Sequence, residues 1–563
     1  MRTPAFFQRS ELTATLWTFR GAFLRVGVFS LLCNLLMLTP TLYMLQVYDR
    51  VMLSQSELTL LAMSLLALGL FSVMACAEWL RTRVLVRAGM ALDERLGTQV
   101  FKASFAAHLR QADNASARAF GDLLQVRQFL TGHGIFAFFD APWAPIYLAV
   151  LFLLHPCLGG LGLVFALVQV LLAWYGHRLT LAPAQEAVAA QAEASLFLQG
   201  KLRHAEVIES MGMLGPLQKR WGQRQAAALA QATTAQDLSQ RMLAWSKFIR
   251  YSQQSLVLGT GALLVLDGQL SAGGMIAANV LMTRALAPIE HIVGGWRGFI
   301  GAVAAFGRLE HLLLAYPAPA GLLPPLAPRG ALELRGVVAR APGRARPILQ
   351  DIQLRVAQGT VLVVMGPSGA GKSTLARVLL GIWPDVTGAV LLDGQALCTR
   401  ERTALGPHLG YLPQDLELLE GTLAENIARF GTVDSARVVE AARATGLHEM
   451  ILRFPKGYDT PAGEAGGLLS GGQRQRIGLA RAVYGNPALV VLDEPNANLD
   501  SAGEAALAHT VQHLKRRGAT VVLISHRPGV LAVADRVLLL HNGCVQAEGP
   551  RDAVLAARQA AAA

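Results

Sequence analysis

Charge is scarce in this sequence. Only 16% of its 563 residues are Asp, Glu, Lys or Arg, where soluble domains carry roughly a quarter, so an ordinary water-soluble protein is excluded. Cysteine is scarce as well. Cys33, Cys76, Cys157, Cys398 and Cys544 lie far apart, with no CxxC pair and no metal-ligand spacing, which excludes a disulfide framework and a zinc module. No small-residue cleavage pattern follows the first apolar run, so no cleavable signal peptide is expected. The net charge of +12 could suggest nucleic acid. A chain short of charge and rich in apolar runs instead gathers Lys and Arg on cytoplasmic loops beside anionic lipid, so membrane lipid is the expected partner and nucleic acid is not.

What is abundant is grease. Hydrophobic residues make up 53% of the chain, too long for one core, and two or three domains are expected. Six apolar stretches of about 17–24 residues suit a hydrocarbon layer about 30 Å thick: 24–47, 59–79, 134–154, 157–175, 249–267 and 272–293. Pro40, Pro142, Pro145 and Pro288 fall inside them, as membrane helices tolerate. The connections 80–133 and 176–250 are rich in Lys and Arg, among them Arg81, Arg83, Arg87, Lys102, Lys201, Arg203 and Lys219. The three short connections hold little positive charge, so both long loops and both termini are expected on the cytoplasmic side. Leu12, Leu16, Phe19 and Phe23 recur at helical spacing ahead of the first stretch, either as an interfacial helix or as an extension of the first span. The long loops keep helical periodicity (Leu96, Val100, Phe101, Phe105, Leu109), so the helices are expected to extend beyond the bilayer.

After a Pro/Gly-rich linker the pattern changes to short apolar strands alternating with helices, an α/β domain. Val361–Met365 leads into Gly366-Pro367-Ser368-Gly369-Ala370-Gly371-Lys372-Ser373 and Thr374, the strand, glycine-rich turn and helix of a phosphate-binding loop. Its backbone N–H groups and helix start suit phosphate oxygens, Lys372 the β- and γ-phosphates, and Ser373 a Mg²⁺ ion. Pro487–Glu494 reads as a second buried strand ending in two acids, delivering Asp493 to the metal and Glu494 to the attacking water as base. Two acids at a strand end can also be a mere solvated terminus; their pairing with the phosphate loop argues for ATP hydrolysis. Val521–Ile524 carries Ser525 and His526 to the same edge, with His526 expected on the γ-phosphate. Leu469-Ser470-Gly471-Gly472-Gln473 opens another helix after a glycine pair, a second candidate anion cradle. One site does not need two cradles on the same phosphates, whereas a dimer does.

These motifs in this order resemble the ATP-binding cassette (ABC) transporters over nearly the whole chain. The resemblance implies an α-helical transmembrane bundle of six spans, exporter type, fused to an α/β P-loop ATP-binding cassette. It implies that Ser470 and Gly472, with Gly471 and Gln473 around them, bind ATP held by a second copy. It further implies that Gln414, at the metal site, joins that site to the membrane helices, and that Ala497–Asp500 communicates between the two sites. ABC exporters usually stack adenine on an aromatic ahead of the phosphate loop; here 337–342 reads Val-Val-Ala-Arg-Ala-Pro. Leu38–Pro40, Tyr43–Val51, Phe139–Tyr147, Glu494–Asp500 and Ser525–Pro528 are similar to the permease/ATPase subunits of type I protein secretion, in the protease- and lipase-exporting branch. That narrower resemblance implies unfolded polypeptide as cargo, with a membrane-fusion adaptor and an outer-membrane channel as partners at the bacterial inner membrane. No peptidase-like domain is expected ahead of the first span, and leader-peptide cleavage is not expected.

The expected organisation is 1–23 as an N-terminal segment, 24–312 as the membrane domain, 313–330 as linker, 331–555 as cassette and 556–563 as an Ala-rich tail. Asp140, inside a span beside two prolines, marks a pathway, caps a broken helix or pairs with an arginine. Tyr43, Tyr48, Trp143 and Tyr147 line a route or form an interfacial belt. A lipid or drug exporter of the same architecture is the competing function. A scaffold with a silent cassette is disfavoured by Lys372, Asp493, Glu494 and His526.

Overall fold

The structure, a computed structural model, describes residues 10–110, 115–202, 204–317, 327–342, 344, 346–397, 401–463, 466–497, 499–525 and 528–562. It divides into two compact units, Met1–Ser104 with Asn114–Pro317, and Phe105–Asp113 with Ala318–Ala563.

The first unit is helical: α1 (Glu11–Thr18), α2 (Arg20–Leu36), α3 (Thr39–Gln46), α4 (Glu57–Arg110), α5 (Ala115–Thr131), α6 (His133–Asp140), α7 (Ala144–Leu154), α8 (Pro156–Leu202), α9 (Leu214–Leu266) and α10 (Ala272–Ala315) are its principal helices. Ser10 starts α1 through a capping box with Thr13, so the segment ahead of the first span is a helix of its own. At 1.5 Å per residue the 54 residues of α4 run to about 80 Å, well past a 30 Å hydrocarbon layer. Among the described residues, six helical segments are long and apolar enough to cross a membrane: Arg20–Ser54, Glu57–Arg110, Arg118–Leu154, Pro156–Leu202, Ala272–Trp296 and Gly298–Ala315. Five of the expected stretches fall on the first five of these. The stretch 249–267 does not; it ends α9, where Arg250, Ser252, Gln253 and Gln254 dilute the apolar run. Gly298–Ala315 continues α10 rather than adding a separate helix. Leu65, Leu66, Leu68, Leu167 and Leu171 stay exposed, a density of bare leucine that lipid, not water, accommodates.

Polar side chains tie these helices together. Ser30 donates to Asp140 Oδ1 at 2.5 Å and Asn34 at 2.7 Å. Arg81 pairs with the same oxygen at 3.3 Å and lies over the Phe136 ring. Asp140 therefore pairs with an arginine; it precedes the turn Ala141–Trp143 without capping it. Tyr147 is buried and donates to the Asn34 carbonyl oxygen at 2.8 Å, so it belongs to the core rather than to a belt or a route. At the other end of α2–α3, a π-helical turn, Val47–Val51, presents Asp49 to the start of α10, where it accepts from Ser271 Oγ at 2.5 Å and Gly273 N at 2.8 Å.

The second unit holds two sheets. Strands β1 (Leu332–Arg340), β2 (Pro347–Val356), β4 (Asp385–Leu392) and β5 (Gln395–Ala396) form an antiparallel sheet in the order β2-β1-β4-β5. Strands β3 (Val361–Met365), β6 (Leu409–Leu412), β7 (Leu489–Asp493), β8 (Thr520–Ile524), β9 (Arg536–His541) and β10 (Cys544–Pro550) form the other, in the order β10-β9-β3-β8-β7-β6. All pairs in it are parallel except β9–β10. β3, β7 and β8 are buried along their whole length, as parallel strands covered on both faces must be. One face packs on α12 (Leu423–Ile427), α13 (Ser435–Ala444) and α14 (Gly471–Val483), the other on α11 (Lys372–Leu379) and the antiparallel sheet. α15 (Ser501–Arg516) precedes β8.

Candidate functional site: the carboxyl edge of the parallel sheet

Parallel register brings the ends of β3, β7 and β8 together: Val364 pairs with Ile524, and Ile524 with Asp493. Ligands of open α/β sheets bind at this edge. From β3 the chain turns through Gly369 (φ +81°) and Gly371 (φ +97°) into α11. A side chain at Gly366 would collide with the Leu540 carbonyl of β9. The loop therefore lies close against the sheet, and the N-terminus of α11 faces whatever the loop holds.

Lys372 is buried and donates to the carbonyls of Gly366 and Pro367, both at 2.9 Å. Burial pushes its amine below the ordinary lysine range, while the charges of Glu494 and Asp493 oppose that shift. Ser373 Oγ lies 3.5 Å from Gln414 Oε1, and Gln414 Nε2 donates to Glu494 Oε2 at 3.2 Å. Asp493 is almost wholly buried, and its Oδ1 has no hydrogen-bond partner among the described residues. Burial pushes its carboxyl up, with the Ser373 hydroxyl, hydrogen bonded to it, pulling the other way. Asp493 Oδ1, Ser373 Oγ and Gln414 Oε1 are hard oxygen donors of the kind Mg²⁺ accepts. A buried carboxylate oxygen without a donor fits a cation.

Glu494 follows with φ +48°, the left-handed region that a non-glycine residue seldom occupies, and its N–H bonds the Ile524 carbonyl at 2.9 Å. That backbone turn separates the directions of two successive acids. Ser525 is buried and donates to Asn496 Oδ1 at 3.2 Å. Thus Gly366–Ser373, Gln414, Asp493 and Glu494 share one edge. His526 and Asn498 lie outside the described residues.

Ser470 N-caps α14 in a capping box: its Oγ accepts from Gln473 N at 3.3 Å and its own N–H reaches Gln473 Oε1 at 2.9 Å. Ser470 is exposed. No hydrogen bond among the described residues joins Ser470, Gly471, Gly472 or Gln473 to the phosphate loop, so within one chain the two cradles stay separate.

Sequence reading missed the residues that hold these parts in place. Gln475, buried in α14, donates to the carbonyls of Glu494 at 3.4 Å and Pro495 at 3.2 Å. Arg476 pairs at 2.7 Å with Asp500, which also accepts from Gly503 N at 2.8 Å at the start of α15. The Gly503 N–H first, and Arg476 with it, hold the Asp500 carboxyl below its usual range. Gln475 and Arg476 follow the Ser470–Gln473 motif after one intervening residue, Arg474, and that proximity was the available signal. What they bind lies too far along the chain to be read from spacing.

A P-loop edge carrying two successive acids in one unit, and membrane-length helices in the other, define the class of an ATP-driven membrane transporter. The family model described as ABC transporter matches residues 349–497, and the ABC transporter transmembrane region matches residues 23–288. The chain is 43% identical over 550 residues to the type I secretion system ATP-binding protein PrsD of Rhizobium meliloti (strain 1021), covering 97% of this chain and 94% of the relative. It is 31% identical over 555 residues to the cyclolysin secretion/processing ATP-binding protein CyaB of Bordetella pertussis, covering 94% and 75%. A bacterial Atm1-family ABC exporter with ATP bound superposes with a TM-score of 0.83 at 22% identity over 96% of each chain, a likeness of fold. The chain belongs to the ABC transporters, and among them to the family of type I secretion ATP-binding proteins. It is a multi-pass membrane protein whose ATP hydrolysis is coupled to transport.

Proposed function

We propose that this chain is the permease and ATPase of a type I secretion system, exporting unfolded polypeptide across the bacterial inner membrane with its cassette in the cytoplasm. The observation that carries this reading is the end-to-end similarity to secretion ATP-binding proteins, together with the assembled edge from Lys372 to Glu494. A membrane-fusion adaptor and an outer-membrane channel are its expected partners. Two copies work together: Ser470, Gly471, Gly472 and Gln473 of one close on ATP seated in Gly366–Thr374 of the other. The exposure of Ser470 and the separation of the two cradles support this arrangement.

In the mechanism, the loop amides and Lys372 hold the β- and γ-phosphates, and Lys372 exchanges its carbonyl partners for phosphate oxygens. Asp493, Ser373 and Gln414 would hold Mg²⁺, which supplies charge neutralisation on those phosphates. Glu494 accepts the proton of the attacking water as its oxygen bonds the γ-phosphorus and the β–γ bridging bond breaks. His526 is assigned to the γ-phosphate. Gln414, bonded to Glu494, and Gln475, bonded to the backbone after it, carry closure of the site into β6 and α14.

Glu494→Gln should lower ATP turnover by roughly two to four orders of magnitude and trap bound ATP. Measured on protein in proteoliposomes, an unchanged rate would remove Glu494 from this role. The cargo is tested separately by ATPase rate. Stimulation by the C-terminal segment of a secreted protein supports polypeptide export, and stimulation by amphiphiles alone contradicts it.

A further inference from the structure

Charge inside a membrane persists only where something compensates it. Among the described residues of the apolar stretches, several interior charges have a partner. Asp140 faces Arg81. Glu290 receives Arg250 at 3.5 Å and Gln169 at 3.1 Å. Arg25, near the start of α2, donates to its own helix at the Gly21 carbonyl. Arg284 has no carboxylate partner among the described residues. It lies near the centre of 272–293, and its hydrogen bond among the described residues runs from Nη1 to the Met37 sulfur at 3.7 Å. A thioether is a weak acceptor and carries no charge.

The surroundings rule out a guanidinium lost in lipid. Leu281, Met282, Ala285 and Leu286, its neighbours on α10, are fully buried. Leu281, Met282 and Ala285 pack with Tyr147 and Leu151 of α7. Met37 is the residue at which α2 ends, before α3 restarts with Pro40 in its first turn. Broken helices at membrane depth occur where the backbone lies within protein or lines a water-filled cavity. An uncompensated cation and a helix break therefore meet at one place.

We propose that Arg284 is a recognition residue on the transport route, pairing in mid-membrane with carboxylates of the moving chain. This rests on the polypeptide-export reading above. A carboxylate crossing an apolar layer needs a hydrogen-bonding cation, and Arg284 offers one. The carboxylate can come from acidic side chains or from the chain's C-terminus. Lipid phosphate is the competing source of anion.

The test uses the full chain in nanodiscs of phosphatidylcholine, with and without phosphatidylglycerol. Three fluorescent Gly/Ser peptides serve as probes: one with four Asp, one with four Asn, and the Asn peptide with its C-terminus amidated. The four-Asp peptide should bind about tenfold tighter than the four-Asn peptide, the worth of one charge-assisted bond. A smaller loss on amidation would assign the C-terminal carboxylate a share. Arg284→Gln should abolish the preference and Arg284→Lys retain most of it, the latter guarding against loss through misfolding. A preference undiminished in Arg284→Gln overturns the proposal. So does an Arg284 effect that follows phosphatidylglycerol content rather than peptide charge. Equal binding of all three peptides refutes this inference alone; binding of none, with ATP still hydrolysed, refutes polypeptide export and this inference with it.

Discussion

Replacing Arg429 tests how the cassette is braced. This residue follows α12 in the left-handed region at φ +57°, and its guanidinium is sunk among main-chain carbonyls. It donates to Arg481 and Ala482 at 2.9 and 3.0 Å, in the last turn of α14, and to Gly406 and Leu409 at 3.0 and 2.9 Å, where β6 begins. Carbonyls in a last helical turn have no partner in their own helix, so Arg429 ends the helix that starts at Ser470 and fastens it to the strand that leads to Gln414. Burial first, and then the charge of Arg481, push its guanidinium down to about 10, still a cation at neutral pH. Arg429→Ala strands up to four carbonyls. If water reaches about half of them, the remainder cost roughly 2–6 kcal/mol at about 1–3 kcal/mol each. For a domain of this size that lowers the apparent Tm by roughly 5–20 °C. Arg429→Lys should recover part of the loss, because an ammonium lacks the planar fork that spans two segments. The assay is a thermal scan of the purified protein by tryptophan fluorescence, with ATPase rate read on the same samples. An alanine variant melting within about 2 °C of the parent would refute the reasoning.

Two further outcomes are expected. Asp140→Leu leaves Arg81 buried without its carboxylate and should cost about 3–5 kcal/mol, whereas Arg81→Met combined with Asp140→Leu should cost less than the sum of the single changes; strictly additive losses in thermal stability would deny the pairing. Hydrogen bonds from Arg335 first, then Arg355, pull the Glu333 carboxyl from 4.5 to about 2. A carboxyl lowered by folding stabilises above its unfolded value, and that contribution fades as pH falls from about 4.5 through about 2. Glu333→Gln should therefore flatten the acid limb of the stability profile in that window, less so in high salt because Arg355 is exposed; an unchanged limb at low salt would contradict the assignment.

Much of this was legible in sequence because the determinants are local. Val361–Met365 reads as a strand buried on both faces, and the glycines after it as a turn that only their backbone allows. Span positions follow from runs of Leu, Val and Ala that need no partner to be recognised. The stretch 249–267 is less apolar where Gln253 and Gln254 interrupt the run: a helix packed against α8 and α10 need not be apolar all round. What stayed hidden depends on distant pairs. Nothing near Asp140 in the chain points to Arg81, and nothing near Arg429 points to the end of α14. Tyr147 read as an interfacial aromatic because aromatics concentrate there, yet its hydroxyl found a carbonyl inside the bundle.

The twist at Glu494 sets the cassette at odds with its own durability. A glycine would adopt that backbone without penalty, whereas the acid holds it at roughly 1–3 kcal/mol of strain. With Glu494 in its proposed role as base, Glu494→Gly would give a sturdier cassette that no longer turns over. On that role, the carboxylate exchanges robustness for turnover.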